Sequence, residues 1–356
     1  TLGKLEPAAL AQHAVAVVNG LEGDDRDGRR VVALETLHNL EPATLAQYAS
    51  ALVAMLEDSE WLVRADALET LGKLEPATLA PHADAVLARL EDSEATVRRL
   101  ALETLGELEP TLLAQHAEAV VARLEDSDPC DRVDGYVRIA AIETLGKLEP
   151  EALAPHADAV VARFEDSKVS VHVAAIMTLG KLEPGALAPH AGAVVAKLED
   201  SFWAVRREAL KTLGKLEPAA LAQHAVAVVA RLEDSDEDVR ETALNALGKL
   251  DPVRFAKYAD FVIAMLDDGE MYARLAAKNT LRSALPHAVT RGVNLDSGVT
   301  GRSQLRARLR WYRHGLRLRR RGIGLYWYAL PFRPDGPGHA RDKEEWDQIS
   351  KRSRHV

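Results

Sequence analysis

Residues 76–109 read PATLAPHADAVLARLEDSEATVRRLALETLGELE, and this stretch decides the fold. From Leu79 its apolar positions run Leu79, Ala83, Val86, Leu87 and Leu90, offsets of 4, 7, 8 and 11 that form one stripe of an α-helix. Glu91-Asp92-Ser93 breaks the pattern and offers a Ser or an Asp to cap the next helix. A second stripe follows at Val97, Ala101, Leu105 and Leu108. Gly106 lies near its end. Glu109-Pro110 stops it, because proline pushes its predecessor out of the helical region. The stretch reads as a helical hairpin. Neither helix can bury its stripe alone, so hairpins must stack.

The same phrase recurs outward in both directions. Its landmark proline falls at Pro7, Pro42, Pro76, Pro110, Pro150, Pro184, Pro218, Pro252 and, more weakly, Pro286. The spacings are 35, 34, 34, 40 and then 34 four times, with the long insertion in 128–136. No alternating β-branched run signals a strand. The expected fold is all-α, a right-handed α-solenoid of about eight hairpins over 1–285, followed by an irregular basic and aromatic extension over 286–356. Hydrophobic residues make up 47% of the 356-residue chain but aromatics only 5%, which suits close packing of helices through small residues. The net charge of −9 excludes a uniformly basic nucleic-acid binder. The single cysteine, Cys130, excludes an intrachain disulfide and points to an intracellular setting, cytoplasm or organelle interior. No apolar run reaches the length of a membrane span, so the chain is expected not to be transmembrane. It opens at Thr1 with no signal segment. Leu2 and Leu5 therefore lead us to expect a preceding repeat or a partner.

Each unit also sets the Asp of its turn six residues before an Arg: Asp58 and Arg64, Asp92 and Arg98, Asp200 and Arg206, Asp234 and Arg240. With the landmark proline, this order of Pro, Asp and Val-Arg resembles the HEAT repeat over residues 1–285, and the 34-residue period resembles the phycobilin-lyase type of HEAT-like repeat. The resemblance implies a structural Asp–Arg ladder between adjacent repeats. His172 replaces the arginine in one unit, and Ala273-Arg274 replaces Val-Arg in another. The Trp and Gly-Tyr landmarks of tetratricopeptide repeats are missing.

Three patterns invite a chemical reading. A histidine recurs six residues after the landmark proline, at His13, His82, His116, His156, His190 and His224, with Tyr48 and Tyr258 in its place elsewhere. Stacked helices lie about 8–10 Å apart, whereas ligands of one zinc each sit about 2 Å from it. One histidine per repeat therefore closes no metal site, and the tyrosines suit a half-buried packing role. The HEAT-like family includes a di-iron hydroxylase built on His-Glu dipeptides, and no histidine here precedes a Glu. Asp126, Asp128, Asp131 and Asp134 in the insertion lack the spacing of an EF-hand and read as a solvated turn. No nucleophile–base set or phosphate loop is present, so neither enzyme activity nor a cofactor is expected.

Comparison of the repeats with one another is more informative. Most columns are monotonous, but the three positions after the turn are not: Glu60-Trp61-Leu62, Glu94-Ala95-Thr96, Lys168-Val169-Ser170, Phe202-Trp203-Ala204, Asp236-Glu237-Asp238 and Glu270-Met271-Tyr272. Trp61, Tyr136, Phe202, Trp203, Met271 and Tyr272 stand where other copies tolerate charge, which marks them as candidate partner-binding residues. Glu35, Glu69, Glu103 and Glu143 form a second, acidic column, read as a solvated face or an attraction for a basic partner.

Residues 287–356 carry 16 Lys plus Arg against 6 Asp plus Glu, a net of +10, which leaves −19 for the rest. Arg306, Arg310, Trp311, Arg317, Arg319, Arg320, Arg321, Tyr326, Trp327 and Trp346 are the candidate contacts there. Residues 304–321 are expected to form a basic helix with Leu305, Leu309, Tyr312 and Leu316 on one face. Three roles stay open for this tail: docking onto protein subunits, binding anionic lipid or nucleic acid through 302–321, and folding back on the acidic repeats. The expected function is a non-catalytic scaffold or peripheral subunit of a larger assembly. The alternatives are an organellar membrane-complex or ribonucleoprotein subunit held by its tail and, from the resemblance, a chromophore-handling protein.

Overall fold

In a computed structural model of the chain, residues 29–127, 135–285, 302–310 and 313 are described. The first 28 residues, the insertion with Cys130, Asp128, Asp131 and Asp134, and most of the tail lie outside them. Each repeat has two arms. The first arms, 42–57, 76–91, 110–125, 150–165, 184–199, 218–233 and 252–267, each begin at the landmark proline, where a missing N–H costs nothing. The second arms are α1 (Arg29–His38), α2 (Trp61–Leu71), α3 (Ala95–Leu105), α4 (Tyr136–Leu145), α5 (Val169–Leu179), α6 (Trp203–Leu213), α7 (Glu237–Leu247) and α8 (Met271–Ala284). No strand occurs among the described residues, which form all-α repeats of stacked helical hairpins. The chain divides into two compact units, 1–190 and 191–356.

The core follows the two stripes. Leu79, Ala83, Val86 and Leu90 of one first arm are buried, as are Val97, Ala101, Leu105 and Leu108 of its second arm. Two positions differ from the expected stripes: Leu87 is half-buried, and Leu102 is fully buried. The first arm is interrupted by 3₁₀ turns at Ala80–His82 and Arg89–Glu91. Three residues per turn shift the phase that a pure 3.6 period carries forward.

Three kinds of rung join adjacent hairpins. The first is Arg–Asp: Arg64 donates from Nε and Nη2 to Asp92 at 2.7 Å each, and Arg98 likewise to Asp126 at 2.7 and 3.0 Å. Arg138 with Asp166, Arg206 with Asp234 and Arg240 with Asp268 repeat the fork, and Arg30 reaches Asp58. The carboxylate thus comes from the following repeat. The Asp of the arginine's own turn gives its main-chain carbonyl instead, as Asp92 O does to Arg98 at 2.8 Å. Nor does Ser93 or Asp92 cap the helix. The N-cap of α3 is Glu94, with no side-chain bond, and the Asp92 carboxylate accepts the Glu94 amide at 3.0 Å, which closes the turn. His172, at the arginine's place, meets Asp166 O through Nε2 at 2.6 Å.

The second rung joins second arms. Thr104 Oγ1 donates to Leu68 O at 3.0 Å, Thr144 to Leu102 O at 2.9 Å and Thr280 to Leu244 O at 3.1 Å. The third joins first arms. Arg89, Arg123, Arg163 and Arg231 each donate to a carbonyl one repeat back, at Leu56, Leu90, Leu124 and Leu198. Gly106 and Gly146 mark the closest approach, since a Cβ there would lie 2.9 Å from Nζ of the next repeat's Lys147 or Lys181.

The Arg–Asp rungs make stability depend on pH. Burial opposes ionisation of Asp92, Asp234 and Asp268, but the guanidinium and the turn amide outweigh it, so each carboxyl is held below its ordinary value. A depressed carboxyl contributes stability above its unfolded value, about 3.9, and loses it as pH falls through the folded value. Burial raises Asp66 instead, with Glu69 and Glu35 adding repulsion, so its contribution has the opposite sign. Thermal unfolding should therefore lose stability below pH about 4, and Asp92→Asn should flatten that loss. An acid limb of equal steepness in wild type and variant would show that Asp92 does not contribute to it.

Candidate docking surface

The described members of the partner-binding set start second arms. Trp61 and Leu62 open α2, Tyr136 opens α4, Phe202 and Trp203 open α6, and Met271 and Tyr272 open α8. The start of an arm lies just ahead of its stripe. Val63, Val137, Val205 and Ala273, one or two residues on, are completely buried, whereas Tyr136, Met271 and Tyr272 are 53, 58 and 60% exposed. Trp61 and Trp203 are partly covered, at 37 and 39%. Trp203 carries the Arg207 guanidinium 4.8 Å above its ring, and Arg207 also pairs with Glu208 and reaches Asp238 on the next repeat at 3.5 Å. In the second unit two apolar pairs thus flank the acidic start of α7. There, Glu270 repels the Glu237 carboxyl and raises it above its ordinary range.

The acidic column is exposed at Glu35, Glu69, Glu103 and Glu143. Met177 replaces that glutamate in the next repeat and is 53% exposed, a signal visible in the same column. Val226 and Phe261 are exposed on first arms where most other copies carry a polar residue or Ala, and they escaped the sequence reading. His82, His116, His156, His190 and His224 are half-buried, as are Tyr48 and Tyr258. Among the described residues no group of three His, Cys, Asp or Glu side chains is placed to hold a metal ion, and no helix is long and apolar enough to cross a membrane.

Of the tail set, Arg306 and Arg310 are described, and both are exposed on helix 302–310. The opposite face of this helix is covered, with Leu305 and Leu309 completely buried. Arg302 pairs with Asp267. Arg313 pairs with Asp260 at 2.6 Å, and its Nε donates to Ala256 O. This part of the tail folds back on the last first arm. Trp311, Arg317, Arg319, Arg320, Arg321, Tyr326, Trp327 and Trp346 lie outside the described residues.

The HEAT-repeats family model matches residues 191–282, and the model of the sister chromatid cohesion protein PDS5, a HEAT-repeat protein, matches residues 34–182. No curated protein matches the chain. With the paired arms and the Arg–Asp rungs, these matches identify the chain across residues 34–182 and 191–282 as a HEAT-repeat protein.

Proposed function

We propose that this chain is a non-catalytic scaffold, a peripheral subunit that holds protein partners of a larger intracellular assembly on the starts of its second arms. The observation that carries the reading is the set of large apolar side chains left in solvent at the three positions that open the second arms, beside the buried column of Val63, Val137, Val205 and Ala273. Trp and Tyr dominate the energetics of protein interfaces, and here they stand in solvent at places where other copies carry charged or small residues. The match to HEAT-repeat models over both units supports it. A partner retained on this surface should be lost at every salt concentration when Trp61 and Trp203 are changed to Ala, by about tenfold or more in affinity, because apolar burial is not screened. The measurement is retention of natively co-purified partners across a salt series. Unchanged retention would remove the surface from consideration. The exposed Arg306 and Arg310 support a second reading, a salt-sensitive contact with an anionic partner such as nucleic acid or lipid. Changing both to Ser should then lower retention only at low salt.

A further inference from the structure

Inside the array, first arms present acids to the next repeat at two places, the first of which holds an acid only in Asp84, Glu118 and Asp158. One lies eight residues after the landmark proline: Glu118 faces His156 at 3.9 Å and Asp158 faces His190 at 3.5 Å. The other lies fifteen residues after it: Glu57 meets Arg89 at 3.0 Å, Glu91 meets Arg123 at 2.8 Å and Glu199 meets Arg231 at 3.0 Å. In the last first arm the same two places hold Asp260 and Asp267. Both are used: Asp267 by Arg302 and Asp260 by Arg313. Between these cations Leu305 and Leu309 are completely buried. The order of the contacts is inverted. In an internal repeat the histidine that takes the first acid precedes the arginine that takes the second. In the tail the cation on the second acid, Arg302, precedes the one on the first, Arg313.

We propose that the outer face of the last repeat is a helix-accepting site, specific for a helix with a cation near each end and two leucines between, and that helix 302–310 fills it in cis as a reversed stand-in for a ninth first arm. The site keeps the chemistry of an internal repeat junction, so a helix supplied by another molecule competes for it with the chain's own. Filling it from within ends the array, because an uncovered last repeat presents the same apolar face that elsewhere receives another hairpin.

The test uses the full chain and a fluorescent synthetic peptide of residues 300–316 as the probe. Arg302→Glu with Arg313→Glu should release the helix, and the released chain should bind the peptide at least about tenfold more tightly than wild type, whose site is filled. Adding Asp260→Asn and Asp267→Asn to the released chain should abolish that gain. Leu305→Ser with Leu309→Ser releases the helix by a second route and should give the same gain, which guards against a folding defect specific to the charge reversals. Equal peptide affinity in wild type and both released chains, or binding indifferent to Asp260 and Asp267, would overturn the proposal. Light scattering gives an independent reading: the released chains should gain mass with concentration, and saturating peptide should return them to the wild-type mass. A mass that stays at the wild-type value without peptide would overturn the end-closing role.

Discussion

Leu305→Ala together with Leu309→Ala is expected to loosen the last hairpin while the first unit stays intact. Both side chains are completely buried, and truncating a buried leucine costs about 2–5 kcal/mol through lost transfer and the cavity left behind. The sum approaches the entire stability of many single domains. A terminal repeat has only one neighbour to support it, so the loss should stay near the end of the chain. Hydrogen exchange should show amides of 302–310 losing protection and those of 252–284 losing part of theirs, while those of 76–125 keep theirs. Full protection of α8 in the double variant would mean that helix 302–310 adds nothing to the last repeat.

Arg98→Ala is expected to have the next largest effect. Arg98 is 7% exposed, and besides its fork to Asp126 it donates to the carbonyls of Asp92 and Ser93 at 2.8 and 3.0 Å. The Asp126 side chain is only 6% exposed, so removing its guanidinium leaves a carboxylate stranded away from water. Breaking one side of such a buried pair costs about 3–5 kcal/mol. Arg98→Lys should recover only part of this, because an ammonium cannot span both carboxylate oxygens and two carbonyls. Denaturant unfolding followed by exchange should localise the damage to 76–145. A uniform rise in exchange across both compact units would contradict a nearest-neighbour array.

The hairpin, its landmark proline and its turn were legible because each repeats with a fixed period and a simple cause. The Asp and Arg positions were legible too. Which Asp each Arg holds was not: Asp92 lies six residues from Arg98 in sequence, yet its carboxylate belongs to Arg64, one repeat back. Pairing across a stack is set by the rise between hairpins, which no single unit encodes. The threonine and first-arm arginine rungs were missed for a related reason. Thr104 and Arg89 also recur, the threonine in all described second arms but that of Ala246 and the arginine in four first arms, but their acceptors are main-chain carbonyls with no side-chain signature. The exposed apolar positions at the arm starts were picked out by their variation between copies, and the same comparison, extended to the column of Glu143, would have picked out Met177. The tail was legible as an amphipathic segment at Leu305 and Leu309, but its landing site was not, since Asp260 and Asp267 look like any other repeat acids.

The rungs also carry an evolutionary consequence. Where neighbouring hairpins carry the same rung residues, each offers on one side what it accepts on the other, so such units can be lost or gained whole without redesign. Excising residues 76–109 would bring Arg64 opposite Asp126, the same fork in the same register, and Arg123 opposite Glu57. Recombination between such repeats therefore yields shorter or longer arrays that keep these rungs at the new joint. A cut that is not a whole number of repeats shifts all three rungs at once.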